Sequence, residues 1–563
     1  VKLDLETGRV HFRDASLSRE NRDAAFDPRT TPIGTLPESA PPEGPVSAFR
    51  KTLFTCSREE LEKVLYPMIA TGKEAIGSMG DTARPNVFSS EPRPFFDYFY
   101  QHFAQVTNPP LDYLREGNIT DLRVFLGRAP NIFFPKDLVP LTEALELPRP
   151  ILDLGQMRFL TRMQSLRPSE SHIIPRTFPM LFERKEGVTG FHAAVARLAS
   201  DVKEAVASGT SVIILSDLDA TVERPPIPGL VALRAVVHTL NESGLRLNAS
   251  IVMQTAEART SHHLAALISF GASAVCPTLA LEIARRDEHP SFAALTPDQR
   301  EQNLVVALES GLLKIMAKSG ISVVQSYMSA KLFTAVGLGP ELMETFFPGH
   351  ASPLGGIGYE ELAGDVLLKT SLAAQSGFQD RLLHTHQFRE SPRLDEGERH
   401  GMTSARARLI HRLVALDPDG PEAQAVYGEY LASLKADEPI NPRHLLAFRE
   451  AVAPLPLPEV ESRSEVFARF GAGAMSFGAV SAESQRDLIL AMEALGGRSN
   501  SGEGGENPFY WTDGLTATTK QVASARFGVT AEYLVSGQEI QIKVAQGAKP
   551  GEGGQLMRVK VDE

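Results

Sequence analysis

QEIQIKVAQGAKPGEGG, residues 538–554, decides the fold of the C-terminal part of the chain. Alternate residues of a strand point to opposite faces, so the segment from 539 to 544 would have one polar and one apolar face. The polar face holds Glu539, Gln541 and Lys543, and the apolar face holds Ile540, Ile542 and Val544. In a closed parallel barrel, the apolar face packs against outer helices and the polar face points inward, where buried polar groups need partners. The pattern therefore predicts a (β/α) barrel with a bound polar cofactor.

Two further glycine-rich segments precede this stretch. They read GAGAMSFGAV at residues 471–480 and GGRSNSGEGGENP at residues 496–508, and glycine lets the backbone approach a ligand closely or adopt a positive φ. Between them, Ser481 is the predicted N-cap of a helix that ends at Gly496. With a short strand before this helix and a second helix at residues 516–527, the order of elements predicts the first units of a (β/α)8 barrel.

The middle of the chain, from about residue 150 to 390, alternates apolar β-branched runs with segments of helix length. The predicted strands are residues 212–216, 249–254, 274–277 and 321–325, and the predicted helices are residues 191–207, 231–243 and 256–270. Continuous apolar strands that alternate with helices indicate a parallel sheet covered on both faces. The predicted fold class is therefore α/β: a central α/β domain with a parallel sheet, followed by the beginning of a barrel.

Polar side chains follow the predicted strands of this region. They are Asp217 and Asp219 after the first strand, Glu257 and Arg259 after the second, and Ser326 and Tyr327 after the fourth. Ligands usually lie at the carboxyl ends of strands in such folds. The simpler interpretation, which we favour, is that these residues cap helices and tie loops together.

Proline-rich segments divide the chain into three parts. The N-terminal part opens with a β-like segment and continues as a proline-rich linker. A helix is predicted from Ser57, with Glu60 as its capping-box partner and Gly72 as its end. A helical connector at residues 392–450 is followed by a second proline-rich linker. The predicted parts are residues 1–45, 46–450 and 451–563.

The composition excludes several classes of function. The 563 residues carry a net charge of −12, which argues against a nucleic-acid or anionic-membrane partner. No apolar run approaches the roughly 20 residues needed to span a bilayer. The cysteines are Cys56 and Cys276 alone, so neither a disulfide framework nor a cysteine-rich metal site is available, and a reducing cytoplasm is the expected setting. Because the sequence begins at Val1, we expect it to be a segment of a longer polypeptide.

These segments resemble the family of glutamate synthase large subunits, which includes ferredoxin-dependent enzymes. In the C-terminal part the similar motifs are AMSFG (474–478), GGRSNSGEGGE (496–506), KQVASARFGVTAEYL (520–534) and QIKVAQGAKPGEGG (541–554). Upstream they are GSMGD (77–81), FAQVTNPPLD (103–112), ILSDLDATVERPPIP (214–228), EARTSHH (257–263), GLLKIMAKSGISVVQSY (311–327) and GGIG (355–358). The resemblance covers nearly the whole chain. It departs at Met328, Ser329 and Lys331, where the family usually has Cys, Gly and Gln.

The resemblance implies a domain order and a reaction. Residues 1–45 would be the tail of a glutamine amidotransferase domain and a linker, residues 46–450 the family's central domain with a helical connector, and residues 451–563 the N-terminal part of an FMN-binding (β/α)8 synthase domain. The implied reaction adds glutamine-derived ammonia, channelled through the protein, to 2-oxoglutarate, and reduced FMN converts the 2-iminoglutarate to L-glutamate. Electrons would come from ferredoxin or an electron-donor subunit through a 3Fe–4S cluster, and the sequence leaves the donor open.

The resemblance also implies roles for single residues. The expected FMN contacts are Met475, Ser476, Gly478, Ser499, Gln541 and Lys543. Lys543 would also offset negative charge that develops on the flavin, Lys549 would bind the dicarboxylate, and Glu506, with Glu503 near it, would couple the arrival of ammonia to the synthase site. The cluster ligands and the residues that bind the FMN phosphate are expected outside residues 1–563. Core filling by Met475 and an exposed loop charge at Glu503 remain alternative interpretations.

Three interpretations of the whole chain remain open. The first is the central and partial synthase part of a glutamate synthase. The second is a non-catalytic scaffold, or a subunit that needs a second chain to complete the barrel. The intact glycine-rich segments and the pair Gln541 and Lys543 argue against the loss of the catalytic site that a scaffold would show. The third is another FMN barrel oxidoreductase, which the long central region disfavours.

Overall fold

The computed structural model describes most of the chain. The described residues are 2–3, 10–11, 30–37, 44–77, 82–102, 115–129, 144–166, 173–379, 382–385, 387–391, 397–435, 439–449, 453, 455–502, 505–522 and 529–543. The chain divides into two compact units. The first is formed by residues 1–103 and 114–446, and the second by residues 104–113 and 447–563.

A four-stranded parallel sheet lies at the centre of the first unit. Its strands are Pro175–Pro179, Val212–Ser216, Ser250–Thr255 and Ala274–Pro277, side by side in chain order. A parallel bridge between Ile151 and Val275 extends the sheet at one edge. All residues of the three strands from Val212 onward are buried, as expected for apolar strands that are covered on both faces. The predicted α/β fold with a parallel sheet is confirmed.

Helices join consecutive strands of this sheet. They are Gly187–Ala207, Gly229–Glu242 and Ser261–Ser269. The first two end within one residue of their predicted ends. The third begins five residues later than predicted, because Thr260 caps it by accepting a hydrogen bond from His263 N.

The first unit contains further helices and short strands. The other helices are Ala48–Leu53, Arg58–Glu60, Tyr66–Thr71, Glu116–Ile119, Leu154–Leu166, Thr278–Arg286, Pro297–Ser319, Val324–Tyr327, Pro340–Phe346, Tyr359–Gln379, Ser404–Val414 and Pro421–Lys435. The paired short strands are Lys2–Leu3 with Val10–His11, Phe99–Gln101 with Phe333–Ala335, and Ala144–Leu147 with both Thr30–Pro32 and Val124–Leu126. None of the described helices is long and apolar enough to cross a membrane.

The helix predicted from Ser57 is confirmed, with one difference at its start. Ser57 Oγ accepts a hydrogen bond from Glu60 N at 3.1 Å, a π-helical turn at Leu61–Leu65 follows, and Gly72 ends the helix with a φ of 66°. The Glu60 carboxylate does not complete a capping box, because it forms an ion pair with Arg259 instead. The Glu60 carboxylate therefore pairs with Arg259, which is distant in the chain, and not with the backbone N–H of Ser57 as predicted.

The strand predicted at residues 321–325 is wrong. Val324–Tyr327 is a short helix, and Val323 forms a single bridge to Asp121. The sheet has a strand that the sequence did not predict, Pro175–Pro179. It lies at the sheet edge, where a residue without an N–H is tolerated. Its two prolines hide it from a search for continuous apolar runs.

The turn after the helix Val324–Tyr327 is the place where the sequence departs from the resembling motif, and its backbone is unusual. Ser329 and Lys331 have φ angles of 60° and 53°, in the left-handed region that favours glycine. Ser329 stands where the resemblance has Gly. Ser329 therefore adopts a positive φ although it is not the residue that suits this conformation best.

Polar side chains after the strands tie strand ends to helix starts. The Asp217 carboxylate accepts hydrogen bonds from Thr255 Oγ1 at 2.5 Å and from Ala256 N at 3.0 Å. Glu257 accepts a bond from Gly229 N, at the start of the helix Gly229–Glu242, at 2.6 Å. This arrangement agrees with the simpler interpretation of these residues, in which they cap helices and hold loops.

Asp217 gives the first unit a pH dependence. Burial raises the pKa of Asp217 to about 7, although its hydrogen bonds favour the charged form. Because the folded state holds this proton more tightly than the unfolded state, its contribution to stability is complete below about pH 4 and is lost as the pH rises towards 7. Between about pH 5 and pH 7, we expect the wild type to lose stability relative to Asp217→Asn, by at most about 1.4 kcal/mol per pH unit. Thermal denaturation of both proteins across this range measures the difference, and parallel curves would contradict the prediction.

The second unit begins a parallel β/α arrangement. Its strands Thr519–Val522 and Glu539–Ile542 are parallel, and parallel bridges join Gly471 to Arg498 and Asn500 to Thr519. Its helices are Arg463–Phe467, Ala482–Leu495, Phe509–Thr512 and Ala531–Val535. Four chain segments therefore lie side by side in chain order and in the same direction, as in the first units of a (β/α) barrel.

Three predictions for this unit can be compared with the structure. The predicted helix from Ser481 to Gly496 is confirmed, but the helix predicted at residues 516–527 is wrong, because Thr519–Val522 is a strand. The expected packing of Ile540 and Ile542 is not found either: they are 50% and 81% exposed. In a barrel, the helices that flank a strand cover its apolar face, and the residues after Lys543 lie outside the described part of the chain.

Candidate functional site

The two glycine-rich segments of the second unit meet at the carboxyl ends of its strands. Met475 N donates to Asn500 O at 3.4 Å, and Phe477 N donates to Gly505 O at 3.2 Å. The buried side chain of Gln485 donates through Nε2 to the carbonyl oxygens of Met475 and Gly505, at 3.0 and 3.2 Å. The Gln485 amide thus bridges the two segments in addition to their backbone hydrogen bonds.

Gly502 lies where these two segments approach each other closely. Its φ is +63°, and a Cβ atom there would lie 3.0 Å from Ser476 N, a closer contact than Cβ atoms ordinarily make. Any larger residue would push the two backbones apart. The glycine therefore lets the two backbones approach each other closely beside the strand ends.

Polar side chains from neighbouring segments share one face, as the alternation of residues 539–544 predicts. Gln541 Oε1 accepts hydrogen bonds from Gln521 Nε2 at 2.6 Å and from Asn500 Nδ2 at 3.3 Å. Arg498 and Glu539 form an ion pair at 2.8 Å. We call these five residues the polar face. It offers both donors and acceptors of hydrogen bonds to a ligand at the strand ends.

Glu506 lies at the centre of a buried polar cluster. Its Oε2 accepts hydrogen bonds from Lys520 Nζ at 2.6 Å and from Trp511 Nε1 at 2.8 Å, and its Oε1 accepts one from Ala517 N at 2.8 Å. The side chains of Glu506 and Lys520 are both 0% exposed. The structure therefore places Glu506 in an internal ion pair. Its coupling of ammonia arrival to the synthase site stays a prediction.

Tyr533 lies against the lysine of this cluster. Lys520 Nζ is 4.9 Å from the centre of the Tyr533 ring, and Tyr533 OH donates to Gln521 O at 3.0 Å and lies 2.6 Å from Ser501 Oγ. Burial lowers the pKa of Lys520, and the bond to Glu506 opposes this effect. The cluster therefore joins the second glycine-rich segment to the strand Thr519–Val522 and to the helix that follows it.

The structure does not bring all the predicted FMN contacts together. Met475, Ser476 and Gly478 are half-buried in the first glycine-rich segment, and Gln541 lies on the polar face. Ser499 is buried on the opposite side of its segment from Asn500, where its Oγ accepts a hydrogen bond from Thr518 N at 3.0 Å. Its contact with FMN stays a prediction that this position does not favour.

The remaining predicted residues lie at or beyond the end of the description. Lys543 is half-buried, and its backbone N–H donates to Val522 O at 2.9 Å. Lys549 and Glu503 fall outside the described residues. Within the described ranges, no group of three or more His, Cys, Asp or Glu side chains is placed to hold a metal ion.

Sequence reasoning missed the residues that hold the second glycine-rich segment in place: Gln485, Trp511, Lys520 and Tyr533. The incorrect prediction of a helix at residues 516–527 obscured the alternating strand pattern that points to Lys520. In a strand, Lys520 points away from Gln521 and the polar face, and a lysine on the buried side requires a carboxylate partner. Glu506 is that partner.

Fold and site together define the class of protein: an α/β protein whose second unit carries a candidate ligand site at the carboxyl ends of parallel strands, as (β/α) barrel enzymes do. Comparison with known families is decisive. The chain belongs to the glutamate synthase family. The model of the glutamate synthase central domain matches residues 49–339, more than half of the 563 residues, and the model of the conserved region in glutamate synthase matches residues 411–563.

Individual relatives agree with this assignment. Ferredoxin-dependent glutamate synthase 2, chloroplastic, of Arabidopsis thaliana is 36% identical over 100% of this chain and 36% of its own length. The glutamate synthase [NADPH] large chain of Azospirillum brasilense is 35% identical over 100% of this chain and 37% of its own length. The chain thus spans about a third of the length of these relatives. The solved flavin-binding domain of baker's yeast flavocytochrome b2 aligns with 57% of the chain at 10% identity and a TM-score of 0.28, which is too low to support an argument.

Proposed function

We propose that the protein takes part in a glutamate synthase reaction, in which glutamine-derived ammonia adds to 2-oxoglutarate and the resulting 2-iminoglutarate is reduced to L-glutamate. The observation that carries this proposal is the meeting of the two glycine-rich segments beside Gln541, at the carboxyl ends of parallel strands. The family supplies the substrates, because the relatives named above are glutamate synthases. Channelling of ammonia through the protein is part of the proposal.

The residues at the strand ends fit a flavin. The two glycine-rich segments approach each other closely at Gly502, and the polar face offers side-chain donors and acceptors beside them. We assign the contacts of the first segment to Met475, Ser476 and Gly478, and those of the last strand to Gln541 and Lys543. When bound, FMN would supply the hydride for the reduction.

The chain's own residues supply binding and charge. At the end of the last described strand, the Lys543 ammonium would stabilise negative charge that develops during the reduction. Lys549 would bind a carboxylate of 2-oxoglutarate. Glu506 would transmit movement of the second glycine-rich segment to the strand Thr519–Val522, through its ion pair with Lys520.

Other parts of the proposal rest on the family alone. Residues 1–45, 46–450 and 451–563 would be the end of an amidotransferase domain, the central domain and the beginning of the synthase domain. Electrons would come from ferredoxin or from a donor subunit, by way of a 3Fe–4S cluster bound by other residues. Cys56 and Cys276 are free and buried, which suits a reducing compartment such as the cytoplasm, whereas the plant relatives are named as chloroplastic.

The variant Lys543→Met tests the assignment in the complete native protein. We expect glutamate formation to fall at least about tenfold, or about 1.4 kcal/mol in activation free energy, because a cation at the reacting charge is lost. Glutamate formation, flavin content and the binding of 2-oxoglutarate should be measured together. Lys435→Met, at the end of an exposed helix of the first unit, is the control and should retain full turnover. Unchanged turnover in Lys543→Met would remove this lysine from the site.

A further inference from the structure

A cleft lies in the first unit, at the carboxyl side of the four-stranded sheet. It has a volume of about 640 Å³, within the range of about 300–1,000 Å³ typical of small-molecule sites. Each strand contributes one polar residue to it, from within the strand or directly after it: Thr177, Ser216, Gln254 and Thr278. Because ligands of parallel α/β sheets bind outside the carboxyl ends of the strands, this cleft has the position of a binding site. The function proposed above makes no use of it.

The sheet side of the cleft is rich in groups that can donate hydrogen bonds. Thr278 is 1% exposed, and its Oγ1 finds no hydrogen-bond partner among the described residues. Thr278 also begins the helix Thr278–Arg286, whose N-cap Pro277 offers no side-chain cap, so the first-turn N–H groups and the positive end of the helix remain available. Ser216 Oγ accepts a bond from Leu218 N, which leaves the hydroxyl proton free to donate. An unpartnered buried hydroxyl is costly, and a ligand oxygen would satisfy it.

The rim of the cleft carries charges of both signs. Arg158 and Arg286 line it, and Arg286 donates to the carbonyl oxygens of Gly44 and Pro45. Asp219 and Glu288 line it too, and neither has an ion-pair partner within the described ranges. Glu282 and Arg285 line the cleft too, and each belongs to an ion pair. The arginines would attract an anionic group and the carboxylates of Asp219 and Glu288 a cationic one, so a ligand that carries both groups matches the rim.

Apolar side chains also line the cleft. They are Leu154, Met157 and Leu218, of which Met157 is 1% exposed and Leu218 is 43% exposed. A ligand with a small hydrocarbon group would cover this surface, and each buried methylene would contribute about 0.8 kcal/mol.

From these three features we infer that the cleft binds a neutral α-amino acid with an apolar side chain. The carboxylate lies at the start of the helix Thr278–Arg286 and accepts a hydrogen bond from Thr278 Oγ1. The ammonium group faces Asp219, and the side chain lies against Leu154 and Leu218. All of these residues belong to the first unit, so the site does not depend on the function proposed for the second.

Binding of L-leucine to the purified 563-residue chain, measured by calorimetry, tests the inference. Two analogues separate the parts of the ligand: 4-methylpentanoate lacks the ammonium group, and 3-methylbutylamine lacks the carboxylate. We expect L-leucine to bind at least about tenfold more tightly than either analogue, since each has lost one charged contact. Equal binding of 4-methylpentanoate or of inorganic phosphate would show a simple anion site and overturn the assignment, as would an absence of leucine binding.

Three variants locate the site. Thr278→Val keeps the shape of the side chain and removes its hydroxyl, so leucine affinity should fall about fivefold. Asp219→Asn should lower it about tenfold and should leave 4-methylpentanoate unaffected. Thr52→Val is the matched control, because Thr52 Oγ1 is also buried without a partner but does not line the cleft. Wild-type affinity in both Thr278→Val and Asp219→Asn would overturn the inference.

Discussion

Glu506→Gln should destabilise the second unit by about 3–5 kcal/mol, the usual cost of removing one partner from a buried ion pair. The substitution keeps the shape of the side chain but leaves Lys520 charged and buried. It also places an amide among four donors: Lys520 Nζ, Trp511 Nε1, Thr516 Oγ1 and Ala517 N. Thr516 Oγ1, 2.5 Å from Lys520 Nζ, is too weak an acceptor to replace a carboxylate.

The chain carries its own probe for this experiment. Trp511 is the single tryptophan of the sequence, and its indole N–H is bonded to Glu506, so tryptophan fluorescence during urea denaturation reports on this unit. Asp513→Asn is the control, because Asp513 pairs with Arg486 at the surface and should contribute at most about 1 kcal/mol. The double variant Glu506→Gln with Lys520→Met should regain part of the lost stability, since no unpaired charge remains. Equal midpoints for Glu506→Gln and Asp513→Asn would contradict the prediction.

This experiment also bears on the proposed coupling role of Glu506. A carboxylate held by four donors inside a unit is primarily a structural group, so loss of activity in a Glu506 variant has two explanations. If the double variant regains stability but not activity, a coupling role gains support. If both return together, Glu506 acts through stability alone.

Arg259→Met should have a similarly large effect on the first unit. Arg259 is 0% exposed; its Nε and Nη2 bond the Glu60 carboxylate at 2.7 and 3.1 Å, and its Nη1 donates to Phe54 O at 2.7 Å. Burial alone would lower the pKa of Arg259, but the attraction of Glu60 outweighs it and raises the pKa, so the guanidinium stays charged. Without it, Glu60 is left as an unpaired carboxylate in the core, at a cost of about 3–5 kcal/mol.

Calorimetric melting distinguishes this effect from a general loss of charge. Arg123→Met is the control, because the pair of Arg123 with Asp121 lies at the surface and should contribute at most about 1 kcal/mol. Adding Glu60→Gln to Arg259→Met should restore part of the stability, and the double-mutant cycle then gives the coupling energy of the pair. A transition for Arg259→Met that coincides with that of Arg123→Met would show that the buried pair contributes nothing.

The regular parts of the fold could be predicted because their signals are local. The strands Val212–Ser216 and Ala274–Pro277 have their predicted bounds, since a continuous run of apolar residues suits a strand that is buried on both faces. Ser481 and Gly496 delimit their helix as predicted, because an N-cap hydroxyl and a left-handed glycine act within one turn.

The failures share a different cause. Pro175–Pro179 is a strand because the edge of the sheet accepts proline, and residues 321–325 are not one although their composition suits a strand. Whether a short segment forms a strand depends on the neighbour it pairs with, and that neighbour is set by the fold.

The sequence by itself determined the family, the parallel α/β architecture and the presence of glycine-rich segments, because motif, periodicity and backbone freedom are properties of neighbouring residues. Only the tertiary structure decided which charges are partners. Glu60 reaches Arg259 and Glu506 reaches Lys520, and both pairs are buried where an unpaired charge is costly. The tertiary structure also decided that Ser499 lies away from Gln541. It brings polar residues from all four central strands together in a single cleft. Such contacts join residues that are distant in the chain, and burial makes them energetically important.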